Sequence, residues 1–234
     1  MRLDKFLSKA TELSRKDAKK ILHAGEITVN DEVVKDGSRH IDIANDDVLW
    51  AGEPLSVAEG SRYILLYKPD GFECTLRPKD HPIVTDLIAV PEVASLRIAG
   101  RLDVDTTGAL LLSDDGAWLH RVTSPKRHQP KRYEITLADP MDEAAQAHAI
   151  KQVTNGILLE GDLEKTRPAE LSFTDETHAT LILTEGKYHQ VKRMMAYFGN
   201  KVIELHRASI GSITLDGLEM GECRFLSEAE IAQF

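Results

Sequence analysis

Three short segments of this sequence combine residue types that do chemistry once a fold brings them together. The first, Gly100-Arg101-Leu102-Asp103-Val104-Asp105-Thr106-Thr107-Gly108, is dense in glycine, aspartate and threonine and runs into the apolar stretch Ala109 to Leu112. That composition makes a tight loop entering buried structure, which can hold a carboxylate rigidly beside an arginine, as a nucleophile or a general base requires. Taken alone, it is also the pattern of a structural Asx turn capped by Thr106, so Asp103 needs support from elsewhere. The second segment, Lys131 to Leu137, alternates as a strand with Tyr133, Ile135 and Leu137 on one face. Tyr133 then points inward, as a core ring at a strand start or as a ring in a cleft. In the third, Glu185 to Met195, a strand end passes into a helix on which His189, Lys192, Arg193 and Ala196 share one basic side. Such a side is either a solvated cationic face or the partner of a carboxylate. Gly186-Lys187 is no phosphate loop, because the glycine spacing of a Walker motif is missing.

The elements that must position these segments follow from hydrophobic periodicity. Leu3, Phe6 and Leu7 recur at helical spacing, and Ser14 caps a second helix from Arg15 to about Ala24 that Gly25 closes. Short strands follow at Ile27 to Val29, at Val33-Val34 beyond a turn at Asn30-Asp31, and at Val48 to Trp50. Gly52 to Gly60, with Pro54 and two glycines, reads as a linker, dividing a unit of residues 1–58 from one of 59–234. Beyond it lie strands at Tyr63 to Tyr67, Tyr133 to Leu137, Ala179 to Thr184 and Val202 to Leu205. Helices fall near Asp115 to Val122, Met141 to Gln152 and Tyr188 to Phe198. Strands outnumber crossover helices, so the class is α+β with a mainly antiparallel or mixed sheet.

Charge is sorted along the chain. The net charge of −9 excludes a protein that coats nucleic acid indiscriminately. Residues 1–24 nevertheless carry Arg2, Lys5, Lys9, Arg15, Lys16, Lys19 and Lys20 against three acids, whereas in residues 25–60 Lys35 and Arg39 face nine. A second basic stretch, from Arg121 to Arg132, includes Lys126, Arg127, His128 and Lys131 and contains no acid. Two basic patches on an acidic chain imply docking on a structured RNA through its phosphates. Arg2, Arg15, Lys16, Lys19 and Lys20 would contact RNA in the first unit; Arg101, Lys126, Arg127, Lys131, Arg132, Lys187 and His189 would do so around the Asp103 loop. The two cysteines, Cys74 and Cys223, form no CxxC or Cys/His cluster, so they read as inert thiols with neither a disulfide framework nor a zinc site. The charged start lacks the apolar run of a secretory signal and the apolar stretches are too short for a bilayer, which makes the cytoplasm the expected compartment.

GRLDVDTTG, together with the opening RLDKFL and the later EGKYHQVKRM, resembles the RsuA family of pseudouridine synthases across essentially the whole chain. That resemblance implies an S4-like RNA-binding domain at the start, a synthase domain after it, and Asp103 as the catalytic residue. It implies that Tyr133 stacks on the target uracil and is placed to take the proton from C5. It also implies that one basic residue of the HQVK segment pairs with Asp103: Lys192, or its neighbour Arg193. YILLYKPDG, around Lys68-Pro69, resembles the family's first catalytic-domain motif and is expected to be structural. The implied reaction needs no cofactor or metal: Asp103 attacks ribose C1′ or uracil C6 of one uridine, position 516 of 16S ribosomal RNA, free or in a small-subunit assembly intermediate. The enzyme is expected to be a monomer. The departure from the family pattern is Ala109, where a leucine is more usual.

Two other readings compete. Asp103-Val104-Asp105-Thr106-Thr107 fits the DxDxT nucleophile pattern of a phosphatase, which would require magnesium and a buried strand just ahead of Asp103, where Gly100 and Arg101 stand instead. The alternative is a non-catalytic ribosomal or assembly protein that uses its S4-like unit only to bind RNA. The occurrence of Asp103, Tyr133 and Lys192 in order speaks against it.

Overall fold

The structure is a computed structural model that describes residues 1–234 apart from residues 12, 44, 57–59, 78, 79, 125, 126 and 128. Two compact units emerge, one of Met1–Ser61 with Ala89–Leu96, the other of Arg62–Ile88 with Arg97–Phe234.

In the first unit α1 (Leu3–Ala10) and α2 (Arg15–Ala24) precede a small antiparallel sheet of β1 (Ile27–Val29), β2 (Glu32–Val33), β3 (Val48–Trp50) and β4 (Glu53–Pro54), ordered β2-β1-β3-β4. The Ser14 hydroxyl accepts the Asp17 amide at 3.2 Å to start α2. Gly25 ends α2 in the left-handed region at φ 80°, which glycine enters without penalty. Asn30 and Asp31, at φ 51° and 63°, make the two-residue hairpin turn whose twist suits the flanking strands. The helices and sheet close over Leu3, Phe6, Leu7, Leu22, Ile27 and Val48. The expected linker at Gly52 to Gly60 needs correction at its start: Glu53 and Pro54 pair with Trp50 and Leu49, since an edge strand tolerates a proline that has no amide to give.

The second unit is organised by β5 (Tyr63–Lys68), β6 (Arg97–Ala99), β7 (Thr106–Ser113), α3 (Gly116–Thr123), β8 (Lys131–Leu137), α4 (Glu143–Thr154), β9 (Glu170–Phe173), β10 (His178–Leu183), α5 (Gln190–Tyr197), β11 (Val202–Ile210), β12 (Ile213–Thr214), β13 (Cys223–Phe225) and α6 (Glu228–Ala232). The sheet runs β13-β5-β7-β11-β8-β10-β9, with β6 added to β7 and β12 to β11. Every pairing is antiparallel except β7 with β11, so the class is the mixed, mainly antiparallel α+β expected. Ala109 to Leu112 are fully buried in β7, whose position inside the sheet explains an apolar run without alternation. Leu65, Leu111, Trp118 and Ile210 pack one core, with Trp118 edge-on to Tyr63 and Phe234.

One edge of β7 is shared, and this opens the site. Thr106, Thr107 and Gly108 pair with Leu205, His206 and Arg207 of β11, whereas Leu111 to Ser113 pair with β6. The chain between β6 and β7, residues 100–105, therefore splays away where β11 enters. Gly108, at φ 114°, makes the close approach: a Cβ there would meet Arg207 N at 2.6 Å and collide with its carbonyl oxygen. Gly108→Ala is expected to cost about 3 kcal/mol through strain and lost pairing, measured as a lower urea midpoint; an unchanged midpoint would show that the two strands separate freely.

Candidate active site

The loop of residues 100–105 is anchored from beneath. Lys68, at the end of β5, is wholly buried. Its Nζ donates to the carbonyl oxygens of Thr106 at 2.7 Å, Pro69 at 2.9 Å and Val104 at 3.0 Å. The three N–H groups of one ammonium thus meet three carbonyls, which offsets the desolvation of a charge that burial otherwise pushes below the usual lysine range. Gly71 N donates to Val104 O at 3.0 Å, Thr106 N to Asp103 O at 3.1 Å, and Leu102 N to Cys74 Sγ at 3.4 Å. The Lys-Pro segment is structural, as expected, and what it structures is the Asp103 loop.

Asp103 presents its carboxylate to the start of α5. His189 Nε2 lies 3.1 Å from Oδ1 and Lys192 Nζ 3.3 Å from Oδ2. Lys192 also reaches Asp105 Oδ1 at 2.6 Å, so one ammonium bridges both carboxylates. Burial works against the charge on Lys192, but the hydrogen bond to Asp105 and the charge of Asp103 outweigh it and raise its pKa. The Lys192 bond holds Asp105 below the usual carboxylate range.

Arg193 does not join them. Its Nη2 donates to Asp162 Oδ1 at 2.7 Å and to Glu160 O at 2.6 Å, and its Nη1 to Tyr188 O at 3.2 Å. Successive helical residues are turned by about 100°, so Lys192 faces Asp103 while Arg193 faces away; His189, just ahead of the helix, joins Lys192 at the carboxylate. The expected shared basic side is thereby corrected, and of the two residues left open as partners of Asp103 it is Lys192 that meets it, whereas Arg193 is held by Asp162. Lys187, expected to contact RNA, is likewise held by Asp162 Oδ2 at 2.7 Å and Glu164 O at 3.0 Å.

Asp103, His189 and Lys192 stand at a cavity of about 410 Å³, also lined by Arg101, Thr106, Lys131, Tyr133, Leu205 and Arg207. That volume lies in the range of small-ligand clefts. Tyr133, 8% exposed, comes from β8 with Ile135 and Leu137 on the same buried face. It is both a core residue and a ring in a cleft, so its two readings coincide. Lys131 sits beside it, pushed down to about 8 by burial and by the positive charge of Arg207. Arg207 is 3% exposed, and its Nε donates to Ala109 O at 2.7 Å. Among the described residues, two buried side-chain atoms have no hydrogen-bond partner, Thr106 Oγ1 and Arg207 Nη2, and both belong to residues lining this cavity.

The chain belongs to the RNA pseudouridylate synthase family. The sequence pattern of RNA pseudouridylate synthase matches residues 62–197, and that of the S4 domain matches residues 1–48. A relative from Vibrio cholerae named ribosomal small subunit pseudouridine synthase A is 48% identical over 99% of this chain and 98% of its own. The proteins of that name from Pasteurella multocida and Escherichia coli K12 are 46% and 43% identical, and each match spans 99% or more of both chains. A crystal structure of a pseudouridylate synthase aligns with 100% of this chain and 99% of its own at a TM-score of 0.69 and 44% identity.

The other residues expected to touch RNA are distributed as follows. Arg15, Lys16, Lys19 and Lys20 are exposed on α2, where Lys20 pairs with Asp17 at 2.8 Å. Arg2 pairs with Asp4 at 2.7 Å. Arg127 and Arg132 are exposed, the latter 3.6 Å from Glu134. Lys126 and its neighbour His128 lie outside the described residues. Arg207 and Asp105 went unassigned in the sequence; the signal for Arg207 is an arginine two residues after Leu205, on the inward face of a strand that continues further than expected.

Lys192 and Arg193 are separable by experiment. Lys192→Met is expected to lower kcat by about 100-fold or more, the loss expected when the carboxylate proposed to react is deprived of its charge partner. Arg193→Met should lower Tm by several degrees while retaining most turnover in the folded protein. Equal losses of kcat at similar Tm would contradict the division.

Proposed function

We propose that this chain isomerises a uridine of small-subunit ribosomal RNA to pseudouridine, with Asp103 as nucleophile, and that the target is position 516 of 16S RNA. The single observation that carries this reading is a carboxylate held between His189 and Lys192 at the wall of a cavity that also contains Tyr133. The 43–48% identity of relatives named ribosomal small subunit pseudouridine synthase A, along essentially the whole chain, supports the substrate. The finer assignments, a monomer acting in the cytoplasm through an RNA-docking domain of residues 1–58, rest on the same likeness, with the S4 domain pattern over residues 1–48 supporting the docking role. Among the described residues no helix is long and apolar enough to cross a membrane.

The target base must leave the RNA stack to enter the cavity, where the Tyr133 ring offers it an aromatic face. Asp103 attacks ribose C1′ or uracil C6 as the N1–C1′ bond breaks. The uracil turns, C5 bonds to C1′ and the carboxylate is expelled. The C5 proton is released and N1 gains one, so no atom is gained or lost and no oxidant is consumed. Lys192 keeps the nucleophile charged and aimed. The buried Arg207 Nη2 and Thr106 Oγ1, without partners among the described residues, suit a base that brings two carbonyl acceptors. The phosphatase pattern fares poorly because Lys192 already bridges Asp103 and Asp105, and because Asp103 lies within the loop between β6 and β7 instead of at a strand end.

With 16S RNA or a small-subunit particle tritiated at uridine C5, the protein in EDTA is expected to release tritium stoichiometrically with its target, and Asp103→Asn to bind the same RNA and release none. Turnover by Asp103→Asn would remove the nucleophile, and magnesium-dependent phosphatase activity without tritium release would replace the reading. A second measurement addresses docking through α2. Charge reversal at Lys16 and Lys19 is expected to weaken RNA binding and make the dependence of log Kd on log salt shallower by about one or two charges, with kcat on saturating RNA within twofold. An unchanged salt slope would rule out phosphate contacts from this helix.

A further inference from the structure

Tyr188 is 76% exposed, more than the exposed rings of Phe225 at 59% and Tyr197 at 50%. Its ring lies against the His189 imidazole with centroids 3.8 Å apart and 19° between the planes, so one face is covered. Both residues line the cavity, and His189 is the group 3.1 Å from Asp103 Oδ1. The turn that carries them is built for this. His189 sits in the left-handed region at φ 45° and ψ 37°, a conformation that a non-glycine residue keeps only when its surroundings enforce it. Arg193 Nη1 holds the Tyr188 carbonyl at 3.2 Å, and the Gln190 side chain ties Lys187 N to Glu185 Oε1 with bonds of 2.8 and 2.7 Å. An aromatic ring stacked on His189 and otherwise largely exposed at the cavity wall, carried by a tied backbone, has the form of a stacking site.

We infer that the exposed ring of Tyr188 is a platform on which an unpaired base next to the target uridine stacks. This rests on the synthase reading of the same cavity. Withdrawing the target base from the RNA leaves its neighbour without a stacking partner on that side, and a ring at the wall of the receiving cavity replaces it. Stacking of this kind accepts any base because every base has a π face. The platform fixes where the flanking nucleotide sits, and therefore how the target base enters. Tyr188 is a positioning residue: it touches the RNA beside the reacting uridine and takes no part in bond exchange.

The test follows tritium release against RNA concentration for the wild type, Tyr188→Ala and Tyr188→Phe, on RNA that is intact or abasic on the 5′ or the 3′ side of the target. On intact RNA, Tyr188→Ala should raise KM about tenfold at nearly constant kcat, the range of one base stacked on one ring, and Tyr188→Phe should restore the wild-type value. On one of the two abasic RNAs the difference between wild type and Tyr188→Ala should vanish. An unchanged KM in Tyr188→Ala, or a penalty that persists on both abasic RNAs, overturns the platform while leaving the synthase reading in place. No release by the wild type from any intact RNA overturns that reading and the platform with it.

Discussion

A buried lysine holds the candidate active site in place. Lys68 gives up water altogether, and the cost of burying its charge is tolerable only because the carbonyls of Pro69, Val104 and Thr106 surround the ammonium. Two of those carbonyls belong to the chain that leads from Asp103 into β7. The same interaction that keeps Lys68 satisfied therefore sets the path of the loop, and moving the loop would leave a bare charge in the interior. Gly108 fixes the next step by letting β7 and β11 approach at Arg207, which brings Thr106, Leu205 and Arg207 to one cavity. Rigidity of this kind suits the nucleophile proposed for Asp103, because an error of an ångström in the placement of such a group costs orders of magnitude in rate.

Onto that fixed loop α5 delivers its charges in two directions. His189 and Lys192 meet Asp103, and Lys192 is shared with Asp105; Lys187 and Arg193 are both spent on Asp162. Half of the basic motif thus works on the carboxylate and half fastens the turn that presents it. Two further cationic groups of the cavity wall, Lys131 and the buried Arg207, stand close enough for the charge of Arg207 to lower the Lys131 pKa.

The helices and turns of the first unit were legible because each rests on local chemistry: the Ser14 cap, the Gly25 terminus and the Asn30-Asp31 hairpin are decided within a few residues. Tyr133 was legible from alternation, and the Asp103 loop from its composition and its resemblance to a known family. What escaped depends on pairing between distant segments. Ala109 to Leu112 looked merely apolar, since a strand buried on both faces carries no alternation. Arg193 and Lys192 are neighbours in sequence, and only the position of Asp162 separates their roles. Arg207 shows in the sequence only through its spacing from Leu205, and its place beside the site depends on the parallel pairing of β7 and β11; Pro54 looked like a linker residue until an edge strand gave it a partner.

The Lys68 ammonium holds the Asp103 loop, and amide hydrogen exchange in Lys68→Met measures that hold directly. The amides of Gly71 and Thr106, which donate to Val104 O and Asp103 O, should exchange at least about tenfold faster than in the wild type, while the β8–β10 amides keep their protection. Unchanged exchange at Gly71 and Thr106 in a folded Lys68→Met protein would contradict the account, because the loop would then be held by something other than the buried charge.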